Sequence, residues 1–225
     1  MSKLSVFCAT ALMAVAGVAS AGTIPLYSST TSQTISNTKE ATTPIAISTV
    51  SEANGAYVSF NFKYTGTLQD NDFFAIFFGT SDDPNFGLKA NGGNGSTTSD
   101  VFGRMSGGGG TYVANSNLVA GTDYQIVGWL SKSGNSSGNY NTLKVWLNPD
   151  ANELNMLTGA DITITGNTGI ASFNTVGFRT ANIDNGVSLT VSNINVTQVP
   201  EPGSLALMGL AAAGLGFARR RKNAA

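Results

Sequence analysis

Asp70 and Asp72 stand two residues apart. In a strand, alternate side chains face one side, so the pair is a candidate for carboxylate chemistry. Retaining glycoside hydrolysis asks for two carboxyls about 5 to 5.5 Å apart. These aspartates, however, flank Asn71 at a turn ahead of a phenylalanine-rich strand and read as solvated turn residues. Between the chain's two apolar ends the glutamates are Glu40, Glu52 and Glu153, none in a clear strand core, and no Glu-x-Asp or Asp-x-Glu spacing occurs. The chain has no histidine, which removes the usual general base and the commonest transition-metal ligand together. Ser106 is followed by Gly107 to Gly110 with no helix behind them, so this run reads as a hairpin tip rather than a phosphate cradle. The expectation is a protein that is not an enzyme.

Binding offers better candidates. A sugar is recognised by a flat aromatic face for its CH groups and by amides or carboxylates for its hydroxyls. In the run from Leu143 to Asn148, Leu143, Val145 and Leu147 share one face while Lys144, Trp146 and Asn148 share the other. Trp129 sits with Val127 and Gln125. Trp146, Asn148 and Trp129 are therefore the candidate carbohydrate-binding residues; the other reading of Trp146 is a large side chain sealing a sheet edge or loop. Calcium is a second candidate ligand, through Asp70, Asp72, Asp82 and Asp83. These four lie in two loops bracketing one strand, at opposite ends unless that strand bends. Arg104 and Arg179, single bases in apolar strands, read as structural pairing residues.

The elements that position these groups read as strands. Tyr57 to Tyr64 alternates, with Val58, Phe60, Phe62 and Tyr64 on one face, the pattern of half-buried antiparallel sheet. Phe73 to Phe78 is apolar on both faces and predicts a central strand covered on both sides. Further strands are expected at 45–50, 86–89, 101–105, 161–165, 173–179 and 187–196. A hairpin is expected from 124–130 and 141–147, with a turn of helix near 151–157. Ten or more strands with turn-rich links predict an all-β, two-layer antiparallel sandwich of jelly-roll type.

The two ends differ from the body. Residues 1–21 read as a signal peptide: Lys3, an apolar stretch, then Ala19-Ser20-Ala21 before Gly22 as the cleavage site. The single cysteine, Cys8, lies inside it, so the remaining chain would have no disulfide, cysteine nucleophile or zinc-thiolate site. Residues 22–199 then form one domain, with seven Lys/Arg against twelve Asp/Glu, an acidic balance that argues against nucleic acid as a partner. In the last segment, 200–225, Pro200-Glu201-Pro202 precedes an apolar run carrying Leu205, Leu207, Leu210, Leu215 and Phe217, closed by Arg219, Arg220, Arg221 and Lys222. The uncharged stretch from Gly203 to Ala218 would span roughly 24 Å as a helix, short of the roughly 30 Å hydrocarbon core. It is expected to be a weak transmembrane anchor whose basic end stays cytoplasmic.

That order of a Pro-Glu-Pro step, a short apolar helix and a basic end resembles the PEP-CTERM sorting tail of Gram-negative bacteria. The resemblance implies processing at Pro200, Glu201 and Pro202 by an exosortase, a membrane-embedded cysteine protease, after signal peptidase has acted at the other end. It implies export across the inner membrane, transient anchoring there, and a final place at the cell surface or outside it. Separately, Tyr140 to Pro149 with its Trp-x-Asn-Pro ending, then Val176 to Thr180 and a closing Val/Leu/Ile strand, resemble a concanavalin A-like lectin or glucanase sandwich over roughly residues 45–197. Glucanases of that class carry a Glu-x-Asp-x-Glu strand, which this chain lacks. The expected function is a non-enzymatic surface or matrix protein associating with extracellular polysaccharide. A divergent glycoside-active enzyme and a self-associating envelope protein are the alternatives.

Overall fold

The computed structural model describes residues 23–37, 40–80, 84–90, 100–106, 109–134 and 138–199. The expected signal helix and the expected C-terminal helix both lie outside them. Among the described residues no helix is long and apolar enough to cross a membrane.

The described chain is a two-layer antiparallel sandwich. Its strands are β1 (Ile24–Ser29), β2 (Gln33–Ser36), β3 (Glu40–Val50), β4 (Ala56–Thr65), β5 (Phe73–Phe78), β6 (Asn85–Lys89) and β7 (Val101–Arg104). They continue with β8 (Thr111–Tyr112), β9 (Tyr124–Ser131), β10 (Thr142–Leu147), β11 (Ile162–Thr165), β12 (Phe173–Ala181) and β13 (Ser188–Gln198), with one short helix, α1 (Ala151–Met156), between β10 and β11. One sheet runs β1-β13-β4-β9-β10-β11, with β2 also on β13; the other runs β3-β12-β5-β6-β7-β8. The expected hairpin is present, with Val145 opposite Gly128.

Alternation explains the core. Val58, Phe60 and Phe62 of β4 and Ile126 and Leu130 of β9 face Phe74, Ile76 and Phe78 of β5 and Phe86 of β6, all buried. Phe60 meets Phe74 edge-on at 5.7 Å between ring centres, and Phe86 lies 5.9 Å from both Phe60 and Phe78. Each fully buried ring of this size contributes about 1.5 to 3 kcal/mol relative to exposure. Phe86 approaches β9 where the strand carries Gly128, and a β-carbon there would collide with the Phe86 ring.

β13 keeps its apolar side inward across a break in parity. Leu189 and Val191 are buried, and so are Ile194 and Val196, an odd number of residues further on. The register on β4 shifts between Ser192 and Asn195, and Asn193 takes φ 52°. This is a bulge, in which one extra residue restores the inward face.

β5 matches the expectation of a strand covered on both sides: all six residues are buried between β12 and β6. Its second face is the outer face of the six-stranded sheet, where Phe73 and Ala75 pack with Phe102, Tyr112 and Ala181.

Candidate functional site

The outer face of the six-stranded sheet carries a cavity of about 260 Å³ that Phe73 helps to line. Register places Lys89 of β6 opposite Phe73 and Arg179 of β12 opposite Ala75, so both bases point to the side on which Phe73 lies. Arg104 on β7 reaches the same ring. Its guanidinium carbon is 6.0 Å from the Phe73 centroid, and that of Arg179 is 5.7 Å away, within cation–π range. Asn71, Ala181 and Asn182 complete the lining.

The rim is set by two left-handed residues, Asn71 at φ 69° and Asn182 at φ 57°, a conformation asparagine tolerates better than most. The Asn182 amide donates to the Asn71 carbonyl at 3.3 Å. From β3, Glu40 accepts two bonds from Arg179 through one oxygen, at 3.1 Å from Nε and 2.7 Å from Nη2. Beyond the cavity, burial pushes the Tyr112 phenol above its ordinary value; Asp70 and Asp100 add to the effect and Arg104 opposes it. None of the seven lining residues is a carboxylate.

The tryptophans lie on the opposite sheet, and the structure corrects the reading of Trp146 as a sugar platform. The predicted facing is right, with Leu143 and Val145 in the core and Trp146 on the other side. That side is nevertheless covered: Trp146 is 0 % exposed and donates its indole N–H to the Thr158 carbonyl at 2.8 Å. The cover is the segment between β10 and β11. Asp150 caps α1 by accepting from the amides of Asn152 and Glu153, Glu153 returns the bond to the Asp150 amide, and Leu157 ends the helix in a left-handed turn. Lys144 donates to the Leu157 carbonyl at 3.3 Å, and Asp161 accepts from the Leu147 amide at 2.7 Å.

Trp129 is half-buried. Its indole N–H donates to the Asn54 carbonyl at 2.6 Å, and the Lys144 ammonium lies 5.0 Å from its ring, so a cation already occupies a place against the aromatic surface. Asn148, at φ 52°, exchanges bonds with Gln125: its side-chain oxygen accepts from the Gln125 amide at 2.8 Å, and its own amide donates to the Gln125 carbonyl at 2.7 Å. It closes the end of the β9–β10 ladder.

Asp70 is exposed, but Asp72 is fully buried, which corrects its reading as a solvated turn residue. Its carboxylate accepts from the Gln69 amide at 2.7 Å, and its backbone bonds to Gln69 and Ala90 on either side. Burial pushes the Asp72 carboxyl above its ordinary value. This aspartate braces the turn that presents Asn71 to the cavity. Asp82 and Asp83 lie outside the described residues, as do Ala19, Ala21, Gly22, Pro200, Glu201, Pro202 and the anchor and basic residues through Arg221. Among the described residues no three His, Cys, Asp or Glu gather as a metal site. Asp70 and Asp72 alone do not make up the six to eight oxygen ligands calcium takes.

A second cavity, of about 250 Å³, lies beside Tyr64, Thr67, Asp100 and Asn117. Its polar groups are turned to the backbone: Tyr64 donates to the Leu118 carbonyl at 2.8 Å, and Asp100 accepts from the Leu118 amide at 3.1 Å.

The cationic cavity was not assembled from the sequence. Lys89, Arg104 and Arg179 each stand at an outward position of an expected strand, which is a usable signal. Bringing them together also needs the order β12-β5-β6-β7, which alternation within a strand does not encode. The pairing role expected of Arg179 is present in its bond to Glu40.

No curated protein matches the chain in a sequence search. Among solved structures, the VIP36 exoplasmic/lumenal domain in its Ca2+/Man3GlcNAc-bound form is similar at 14% identity and TM-score 0.45, over 74% of this chain and 78% of that one. A protein of Shewanella oneidensis MR-1, SO2946, is similar at 14% identity and TM-score 0.37, over 77% of each chain. Residues 198–222 match the family model of the PEP-CTERM protein-sorting motif, which marks this chain as an exported protein and a substrate of exosortase sorting.

Proposed function

We propose that this chain is a non-enzymatic cell-surface or matrix protein that associates with extracellular polysaccharide through the outer face of its six-stranded sheet. The observation that carries this reading is the cavity at Phe73, where three bases stand on strands and the amides of Asn71 and Asn182 on the turns beside them. A sugar's hydroxyls are met by such groups, and side chains carried on strands, as the three bases are, are better positioned than those on loops. The lack of histidine and the commitment of Asp72 to its own turn support a binding role over a catalytic one.

In this reading the segment through Ala21 is removed by signal peptidase. The apolar segment after Pro202 holds the chain briefly at the inner membrane until exosortase cuts at the Pro200-Glu201-Pro202 step. The body is then left at the surface.

The test is retention of the exported protein, recovered from the medium or cell surface, on a panel of immobilised bacterial and plant polysaccharides, with calcium and with a chelator. Retention on at least one, competed by the same polysaccharide in solution, is expected. Retention on none under either condition overturns the reading and leaves a structural surface role.

A further inference from the structure

The cavity at Phe73 has a chemistry that narrows the ligand. The body outside the two ends holds seven Lys/Arg against twelve Asp/Glu, yet Lys89, Arg104 and Arg179 converge on this one cavity and no carboxylate lines it. Asp70 and Asp100, which act on the Tyr112 phenol, are not among its walls. Glu40 holds Arg179, which fixes one guanidinium and offsets one charge while leaving the lining positive. Lys89 takes part in neither this pair nor the Lys63–Asp123 pair.

The aromatic floor decides how a sugar would be held. Phe73 is only 7 % exposed, with both guanidinium groups near its ring, so a sugar face cannot stack on it. Recognition there is by charge and hydrogen bonds. Guanidinium groups suit planar carboxylates, and an ammonium adds a point charge. At about 260 Å³ the cavity is below the roughly 300 to 1,000 Å³ usual for small-molecule sites, a size for one residue of a longer chain.

Resting on the polysaccharide reading above, we infer that this cavity binds the carboxylate of a uronate residue in an acidic polysaccharide, with Lys89, Arg104 and Arg179 as the cationic wall and Asn71 and Asn182 meeting neighbouring hydroxyls. The ligand is recognised by its negative charge at one sugar carbon, and a neutral chain of the same length is discriminated against.

The experiment is calorimetric titration of the exported protein, at physiological salt, with hexagalacturonate, cellohexaose and a sulfated glucose hexamer. Hexagalacturonate should bind at least tenfold more tightly than cellohexaose, since a charge-assisted bond is about twice as strong as a neutral one. Lys89→Gln should weaken it about tenfold and Lys89→Arg should restore most of the loss. Lys63→Gln, on the other sheet, should leave binding unchanged and excludes a general charge effect. Equal affinity for the neutral hexamer, or indifference to Lys89→Gln, overturns the proposal. Tighter binding of the sulfated hexamer with the same dependence on Lys89 overturns the uronate assignment in favour of a sulfate ester. If a neutral polysaccharide is retained in the panel while hexagalacturonate is not bound, this inference fails and the broader reading stands. If nothing is retained, both fail.

Discussion

The indole N–H of Trp146 donates to the carbonyl of Thr158 at 2.8 Å from a ring with no exposed surface. The bond ties the outer face of β10 to the segment that follows α1, so this buried tryptophan helps hold that segment against the sheet. Trp146→Ala should lower the unfolding free energy by about 3 to 5 kcal/mol. Trp146→Phe, which keeps most of the volume but orphans the Thr158 carbonyl, should cost about 1 to 3 kcal/mol. Urea unfolding followed by far-ultraviolet circular dichroism checks both. A loss under about 1 kcal/mol for the alanine variant would show that the segment does not cover the ring.

Gly128 and Phe86 are a second such pair, this time across the main core. Phe86 sits over the glycine and also touches Phe60 and Phe78. Gly128→Ala inserts a methyl where the ring already lies, and the ring cannot retreat without displacing its neighbours. Overpacking of this kind costs about 1 to 3 kcal/mol, and the expected outcome is a lower urea midpoint with an unchanged slope. Neutral or raised stability would mean that the inner layer has slack there.

Much of the architecture was legible because each strand reports its own faces. β4 and β10 were marked by alternation and β5 by apolar residues on both sides, and the inward residues expected of β4 and β10 lie in or against the core. β1, β2 and the first half of β3 were missed. Their residues are largely exposed, so no burial period marks them, and what defines them is pairing with β13 and β12. Which of the two readings of Trp146 holds, sugar platform or sealed side chain, was hidden for a related reason. Its facing is local, but its cover is a segment that begins with an Asp150 cap and a six-residue helix, and only the tertiary structure lays that segment over β10. The site at Phe73 joins residues of four strands through sheet order, the least local property of the fold.

Glu40 and Arg179 join the edge strand β3 to its neighbour β12 at 2.7 Å, with the glutamate side chain 63% exposed and the arginine 22%. An ion pair so open to water is worth about 0.2 to 1 kcal/mol. Glu40→Gln should therefore cost less than about 1 kcal/mol in urea unfolding, and the difference should shrink further in high salt. A loss above 2 kcal/mol would place the pair among the main supports of the edge.

Asp72 gives a pH signature with a definite sign. Burial pushes its carboxyl above the ordinary 3.8; the backbone amide of Gln69 opposes this, Asp184 adds its charge, and the Asp184 amide opposes it again. A carboxyl with a raised value in the folded state binds its proton more tightly folded than unfolded. Its contribution to stability is then fully present below 3.8 and is lost as the pH rises through the raised folded value. Asp72→Asn keeps the shape and an acceptor for the Gln69 amide but does not titrate. All other groups are present in both proteins, so the difference in unfolding free energy between wild type and Asp72→Asn isolates this residue together with its coupling to Asp184. Measured by urea unfolding from pH 3 upward, wild type should lose stability relative to the variant as the pH rises out of the acid range. A difference that stays flat, or that moves in favour of wild type, would mean that the charged carboxylate is the form the turn prefers.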